Sequence, residues 1–101
     1  MSNDHMFRMK VEDVFMIRGR GTVAIGRIES GTLSTGDEVD IHGPGGNKRV
    51  VVAGLEMLQK TLNQVGAGDN VGVLLKDVSK DDVQRGYILL GVGGGDFTWK
   101  P

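Results

Sequence analysis

A chain of 101 residues has room for one domain with a modest core. Its 12 Lys and Arg residues nearly balance its 13 Asp and Glu residues, so the net charge of −1 gives no overall attraction to nucleic acid. The lack of cysteine excludes disulfides and thiol chemistry, and no apolar run predicts a membrane span or a signal peptide. We expect a cytoplasmic monomer that does not contact a membrane.

The chain begins with two apolar runs that predict a β-hairpin. Residues 1–6 are expected to be a disordered start or a remnant of expression. Residues 7–17 and 22–28 are rich in Val, Ile, Phe and Thr, which favour strands, and we expect the first strand to be interrupted near Glu12. Residues 18–21 hold two arginines and two glycines, which predict a tight basic tip.

The rest of the chain predicts short strands joined by turns. Turn signals occur at residues 29–31, 35–37, 43–47 and 63–69. Strands are predicted over residues 38–41, 48–58, 70–75 and 87–90, with Gly54 as a candidate bulge position. We also expect one helical turn capped by Ser79 over residues 79–83, and a flexible glycine-rich tail over residues 91–101.

This pattern predicts an all-β domain over residues 7–90. Several short strands with frequent turns indicate a barrel or a sandwich, and no long helical period is present to connect parallel strands. Glycine accounts for 17 of the 101 residues, which suits the tight turns of a small barrel.

The sequence offers no catalytic constellation. His5 lies in the polar start and His42 beside a predicted loop, and neither has an evident partner for general-base chemistry. Two histidines without cysteine do not predict a structural zinc site. Residues 91–96 lack the last glycine of a dinucleotide fingerprint, and no Gly-Lys-Ser/Thr sequence occurs. We therefore expect no enzyme activity, no metal and no cofactor.

A specific series of motifs runs through most of the chain. It begins with VEDVFMIRGRGTVAIGRIESG at residues 11–31 and continues with TGDEVDI, GLEMLQKTL, AGDNVGVLLKDVSKDDVQRG and YIL. In this order, the motifs closely resemble the second domain of bacterial elongation factor Tu over residues 7–90. The resemblance implies a small closed antiparallel Greek-key β-barrel of the translation-factor domain 2 type. In that family the GTP-hydrolysing machinery lies in a separate preceding domain.

The resemblance also implies a binding site for the aminoacyl (CCA) end of tRNA, whose terminal adenine lies in a pocket on this barrel. The matching positions are Ile17, Gly19, Val23, Glu56 and Leu74, with Arg20 near the acceptor end, Asn70 near the esterified amino acid, and Gln59 where the family usually has Arg or Lys. Stacking and edge hydrogen bonds can recognise an unpaired base. The basic side chains of Arg18, Arg20 and Arg27 are expected to gather on the hairpin. With Gln59 in place of a cation, we expect weak, salt-sensitive binding in isolation.

Other interpretations stay open. Taken singly, Ile17, Val23 and Leu74 also fit ordinary core positions, whereas Glu56 among apolar neighbours needs a partner. Binding could involve ribosomal RNA instead of the tRNA end. The chain could also be a protein-interaction module that docks a GTPase domain, or the accessory barrel of another GTPase, such as an initiation factor or a sulfate adenylyltransferase subunit. The GLEM and AGDNVG motifs favour the elongation-factor branch over the last of these.

Overall fold

The computed structural model describes residues 6–57 and 60–92, which form nine strands. The strands are β1 (Arg8–Ile17), β2 (Gly21–Ser30), β3 (Thr32–Ser34), β4 (Glu38–Gly43), β5 (Gly46–Met57), β6 (Lys60–Leu62), β7 (Gln64–Gly66), β8 (Asn70–Leu75) and β9 (Ile88–Gly91). This part of the chain contains no helix, and therefore none that could cross a membrane.

Six strands close into an antiparallel barrel. Their spatial order is β4-β9-β1-β2-β8-β5, and β5 pairs back onto β4 to complete the ring. The hairpins β1–β2 and β4–β5 are joined on one side by β8 and on the other by β9, which is a Greek-key arrangement. β6 extends the far end of β5, and β3 pairs with β7 in a separate ribbon. The predicted fold class is confirmed.

Alternate residues of the strands fill the barrel interior, as the two-residue period of a strand requires. The core side chains with at most 2% exposure include Met9, Val11, Ala24, Ile28, Leu33, Val39, Ile41, Val52, Leu55, Val71, Val73, Leu75, Val83 and Leu89. Thr22 is also fully buried, and its hydroxyl donates to the carbonyl of Val78 at 2.6 Å. This bond ties the β8–β9 connection to β2.

The predicted interruption of the first strand is a β-bulge. The pairing of β1 with β2 shifts register between Val11 and Asp13, so that Glu12 has no partner on β2. The carbonyl of Glu12 accepts a bond from Arg85 Nε at 3.1 Å, and the Asp13 carboxylate accepts one from the amide of Val14 at 2.9 Å. Side chains thus satisfy backbone groups at the bulge, as buried or half-buried polar groups require.

A second bulge lies in β5, beside Gly54, the position at which the sequence predicts a bulge. The pairing of β5 with β8 shifts register between Val52 and Gly54, which leaves Ala53 as the extra residue. Close strand approach near the first bulge depends on Gly26, because a Cβ there would collide with the carbonyl oxygen of Lys10. Both bulges therefore lie next to small residues, Gly26 at the first and Gly54 at the second.

Several predicted turns are shorter in the structure. β2 continues through Ser30, where the sequence predicts a turn. Thr32–Ser34, for which the sequence predicts no element, form β3. The predicted loop over residues 43–47 contracts to Pro44 and Gly45, because the residues on either side pair. The predicted loop over residues 63–69 contains β7. Strands of three residues are too short to show an alternating pattern, which explains why β3 and β7 were missed.

The predicted helical turn over residues 79–83 is wrong. These residues form a turn closed by a bond from the amide of Asp82 to the carbonyl of Ser79 at 3.1 Å. The Ser79 hydroxyl accepts from the amide of Asp81 at 3.2 Å, so Ser79 caps a turn instead of a helix. The Asp82 carboxylate accepts from Lys48 at 2.9 Å, which links this turn to the β4–β5 hairpin.

The two predicted termini lie mostly outside the described residues. Residues 1–5 and 93–101 belong to the proposed start and tail, and their structure is not described. Gly91, the first residue of the predicted tail, is instead the last residue of β9. It pairs with Val39, and its amide donates to the carbonyl of Phe7 at 2.8 Å.

The Asp82 contacts generate a pH-dependent prediction. Hydrogen bonding from Ser79 and then from Lys48 lowers the pKa of Asp82 below its ordinary value of 3.8. A lowered pKa means that the charged carboxylate stabilises the fold above pH 3.8 and loses this effect as pH falls through the folded-state pKa. We expect Asp82→Asn to lower the thermal midpoint at pH 7 and the deficit to shrink below about pH 4. Thermal unfolding at both pH values, with Asp81→Asn as control, measures this; a deficit that does not change with pH contradicts it.

Candidate functional site

An apolar groove lies on the outer face of the barrel, across β1, β2, β8 and β5. Its lining residues are Phe15, Met16, Ile17, Val23, Ile25, Glu56, Met57, Asn70, Val71 and Gly72. We call it the outer groove. Its volume of about 550 Å³ lies within the range of small-molecule sites. Most of its walls are apolar, and Glu56 and Asn70 supply the polar side chains.

Strand register explains how four strands build this groove. Phe15 is paired with Val23, Val23 with Leu74, and Leu74 with Gly54. Paired residues point to the same face of a sheet, so these side chains form one row on the outside of the barrel. Because Gly54 has no side chain, this row ends without a side chain on β5.

A neighbouring row has a second gap. Ile25 is paired with Gly72, and Gly72 with Glu56, so a glycine lies between an apolar side chain and a carboxylate. A Cβ at Gly72 would lie 3.1 Å from Cγ1 of Val23, closer than side chains normally approach. The missing side chain at Gly72 therefore lets Val23 pack closely over the backbone of β8 in the outer groove.

The groove contains the most exposed large apolar side chains of the described residues. Phe15 is 49% exposed and Met16 is 54% exposed. Val23 is buried, yet it lies on the outer face and is not part of the core cluster. Contiguous exposed apolar surface on a soluble protein marks binding sites more often than isolated exposed residues do. The outer groove therefore favours a ligand over a purely structural role.

The two bulges set which side chains face this groove. Met9 and Val11 point into the core, so an uninterrupted β1 would also point Phe15 inward; the extra residue Glu12 reverses the alternation. In the same way, the extra residue Ala53 turns Leu55 inward and Glu56 outward. The bulges aim Phe15 and Glu56 at the same outer face.

A half-exposed ion pair closes one end of the groove. Arg20 Nη2 lies 3.0 Å from Glu56 Oε2, with side-chain exposures of 50% and 35%. The amide of Arg20 donates to the carbonyl of Ile17 at 2.9 Å, and Gly19 adopts a positive φ of 80° that closes this turn. The tight hairpin tip thus holds the guanidinium against the carboxylate, which supplies the partner that Glu56 requires.

The structure brings most of the predicted binding residues together. Four of them, Ile17, Val23, Glu56 and Asn70, line the outer groove. Leu74 is half-buried beside Val23, and Gly19 and Arg20 form the hairpin tip. Gln59 lies outside the described residues. Ile17 and Leu74 are only half-buried and lie outside the core cluster, so the core interpretation is wrong for these two. Val23 is buried, as that interpretation requires, although it lies on the outer face.

One predicted cluster does not form. Arg18 and Arg20 lie in the tip turn, but Arg27 lies seven residues farther along β2, paired with Lys10 and Asn70. At about 3.3 Å per residue this separates Arg27 from Arg20 by about 23 Å. The three arginines therefore do not form a single basic patch.

Sequence reasoning missed six lining residues of the groove: Phe15, Met16, Ile25, Met57, Val71 and Gly72. The signal for Phe15 was present, since the predicted interruption near Glu12 implies a reversed alternation after it. Gly72 was recognised only as part of an apolar strand. Its role depends on the register of β8 with β2, which local sequence does not reveal.

The groups of the groove suit the binding of a ligand. In residues 6–57 and 60–92, no group of three His, Cys, Asp or Glu side chains could hold a metal ion. The groove offers apolar walls, one carboxylate and one carboxamide. These groups suit a flat heterocycle that carries hydrogen-bonding edges.

Comparison with protein-family models matches residues 21–90 to the family described as Elongation factor Tu domain 2. The match covers more than half of the chain and includes β2, β5 and β8, three of the four strands that build the outer groove.

Glu56 and its neighbour Leu55 provide a matched test of which side chains stabilise the fold. Glu56→Gln removes an ion pair that is well exposed, so the free energy of unfolding should change by less than about 1 kcal/mol. Leu55→Ala empties a fully buried position and should cost about 2–5 kcal/mol. Urea unfolding of both variants measures the difference. Equal losses would show that Glu56 is a structural residue and not a binding residue.

Proposed function

The chain belongs to the elongation factor Tu domain 2 family, and on this premise we propose that it binds the unpaired aminoacyl (CCA) end of tRNA in the outer groove. One observation carries the proposal. Ile17, Val23, Asn70 and Glu56 lie on four different strands, yet they line one groove. The family resemblance places Ile17, Val23 and Glu56 at the terminal adenine and Asn70 near the esterified amino acid.

The chemistry of the groove suits an adenine ring. Val23 and Ile25 offer apolar surface beside Gly72, and Phe15 offers an exposed aromatic face. Unpaired bases stack on such side chains and are recognised by hydrogen bonds to their edges. In the proposal, the Glu56 carboxylate accepts a bond from the exocyclic amine of adenine, and Arg20 stays near the acceptor end.

The barrel acts in this proposal as a binding module that performs no chemistry itself. A GTPase domain would cover the bound end of the RNA, and the setting would be the cytoplasm, where translation occurs. Alone, the barrel offers one side of the site and a net charge of −1, so affinity should be weak. We expect a dissociation constant on the order of 0.1 mM or weaker, close to that of non-specific nucleic-acid binding.

Exposed Phe15 and Met16 also favour a second candidate function, the docking of a protein partner on the same face. Protein interfaces are enriched in aromatic residues and methionine. The two candidates differ in ligand and not in location, so a titration with RNA separates them.

An NMR titration with a short RNA that ends in CCA tests the proposal. Amide shifts should cluster at residues 17–23, Glu56 and residues 70–74, and they should fade as salt rises. Gly72→Val adds a side chain that displaces Val23 in the groove and should weaken binding by about tenfold or more, because the ring loses contact surface.

Ala67→Val is the matched control, since it enlarges an exposed side chain in the turn between β7 and β8, outside the groove. The spectrum of each free variant shows whether it is folded. Shifts elsewhere on the barrel, or no shifts at millimolar RNA, would contradict the proposal and favour a protein partner.

A further inference from the structure

Two positive side chains face each other on the outer surface without an acidic partner. Lys10 on β1 is paired in register with Arg27 on β2, and both side chains are exposed. We call them the cation pair. Like charges directly opposite each other on neighbouring strands destabilise a sheet. An arrangement with this cost is explained if an anion binds between the two charges.

Four other cations are paired with nearby carboxylates. Arg8 pairs with Glu29 at 2.7 Å, Arg20 with Glu56 at 3.0 Å, Lys48 with Asp82 at 2.9 Å, and Arg49 with Asp40 at 3.0 Å. Across the part of the chain that the structure describes, neither Lys10 nor Arg27 makes an ion pair or a side-chain hydrogen bond. The cation pair therefore keeps its full donor capacity.

The cation pair adjoins the outer groove. Arg27 is paired on its other side with Asn70, which lines the groove, so Lys10, Arg27 and Asn70 form one row across three strands. Paired positions lie about 5 Å apart, and a guanidinium at Arg27 can reach a ligand held by Asn70. A ligand in the groove that extends past Asn70 meets the cation pair next.

Two acidic groups lie beside the cation pair, because the shallow hollow next to it is also lined by Glu12 and Glu29. Glu29 is held by Arg8, so Glu12, the bulge residue, is the carboxylate left to compete with an incoming anion. With Arg8 counted, the charged groups around the hollow carry one excess positive charge.

We propose that Lys10 and Arg27 form an oxyanion site that continues the outer groove beyond Asn70. The inference rests on the proposed function and adds a second chemical feature to its ligand, a charged oxygen group held at the Asn70 end. Two parts of an aminoacylated RNA end carry such a group: a backbone phosphate, and the side-chain carboxylate of an esterified acidic amino acid. Arginine suits both, because its planar donors match the paired oxygens of carboxylates and phosphates.

Three RNAs that end in CCA distinguish these sources. The first has a free 3′ end, the second carries an amide-linked asparagine and the third an amide-linked aspartate. Lys10→Gln and Arg27→Gln should each weaken binding about three- to tenfold, the effect of losing one charge-assisted contact. Glu12→Gln should strengthen binding, because it removes the competing carboxylate. Lys80→Gln is the control, since it removes one exposed charge from the β8–β9 connection.

The effects of Arg27→Gln on the three RNAs show whether the site binds phosphate or carboxylate, and whether the oxyanion site exists. If the site holds phosphate, Arg27→Gln weakens all three RNAs alike and lowers the slope of log affinity against log salt by about 0.7. If it holds carboxylate, only the aspartate form is weakened. If Arg27→Gln matches Lys80→Gln for every RNA while shifts persist in the outer groove, the oxyanion site is wrong and the proposed function stands. If no RNA shifts the groove residues, both are wrong.

Discussion

The outer groove depends on two β-bulges that reverse the side-chain alternation of their strands. A regular β1 would point Phe15 into the core after Met9 and Val11, and a regular β5 would point Glu56 inward after Val50 and Val52. One extra residue in each strand, Glu12 and Ala53, turns these side chains outward. A barrel with regular strands would bury the carboxylate of Glu56, at a high cost in free energy, and would remove Phe15 from the outer face.

The bulges are stable because the chain supplies the contacts they need. Arg85 donates to the carbonyl of Glu12, Asp13 accepts the amide of Val14, and Gly26 leaves space for the backbone of β1. Inward-facing Leu55, Val73 and Leu75 complete the core behind the groove. The strands β2, β5 and β8 therefore stabilise the fold with their inner faces and offer a binding surface with their outer faces.

Local sequence predicted the features that local chemistry determines. The run Asn70–Leu75 is strongly apolar and its bounds as a strand were predicted correctly, as were the interruption near Glu12 and the irregularity beside Gly54. The short strands β3 and β7 and the turn at Ser79 were not, because three residues carry no period and a capping side chain serves turns and helices alike. The pairing of Arg20 with Glu56 and the position of Gly72 between Ile25 and Glu56 depend on register between distant strands. These features required the folded structure.

The central claim is that the outer groove holds an unpaired purine against its apolar wall. Intermolecular nuclear Overhauser effects between the base protons of a CCA-terminated RNA and the methyl groups of the barrel test it most directly. The account predicts contacts from adenine H2 or H8 to the methyl groups of Val23 and Ile25, with none to core methyl groups such as those of Val39. Contacts confined to methyl groups outside the groove, at RNA concentrations that saturate the amide shifts, would contradict it.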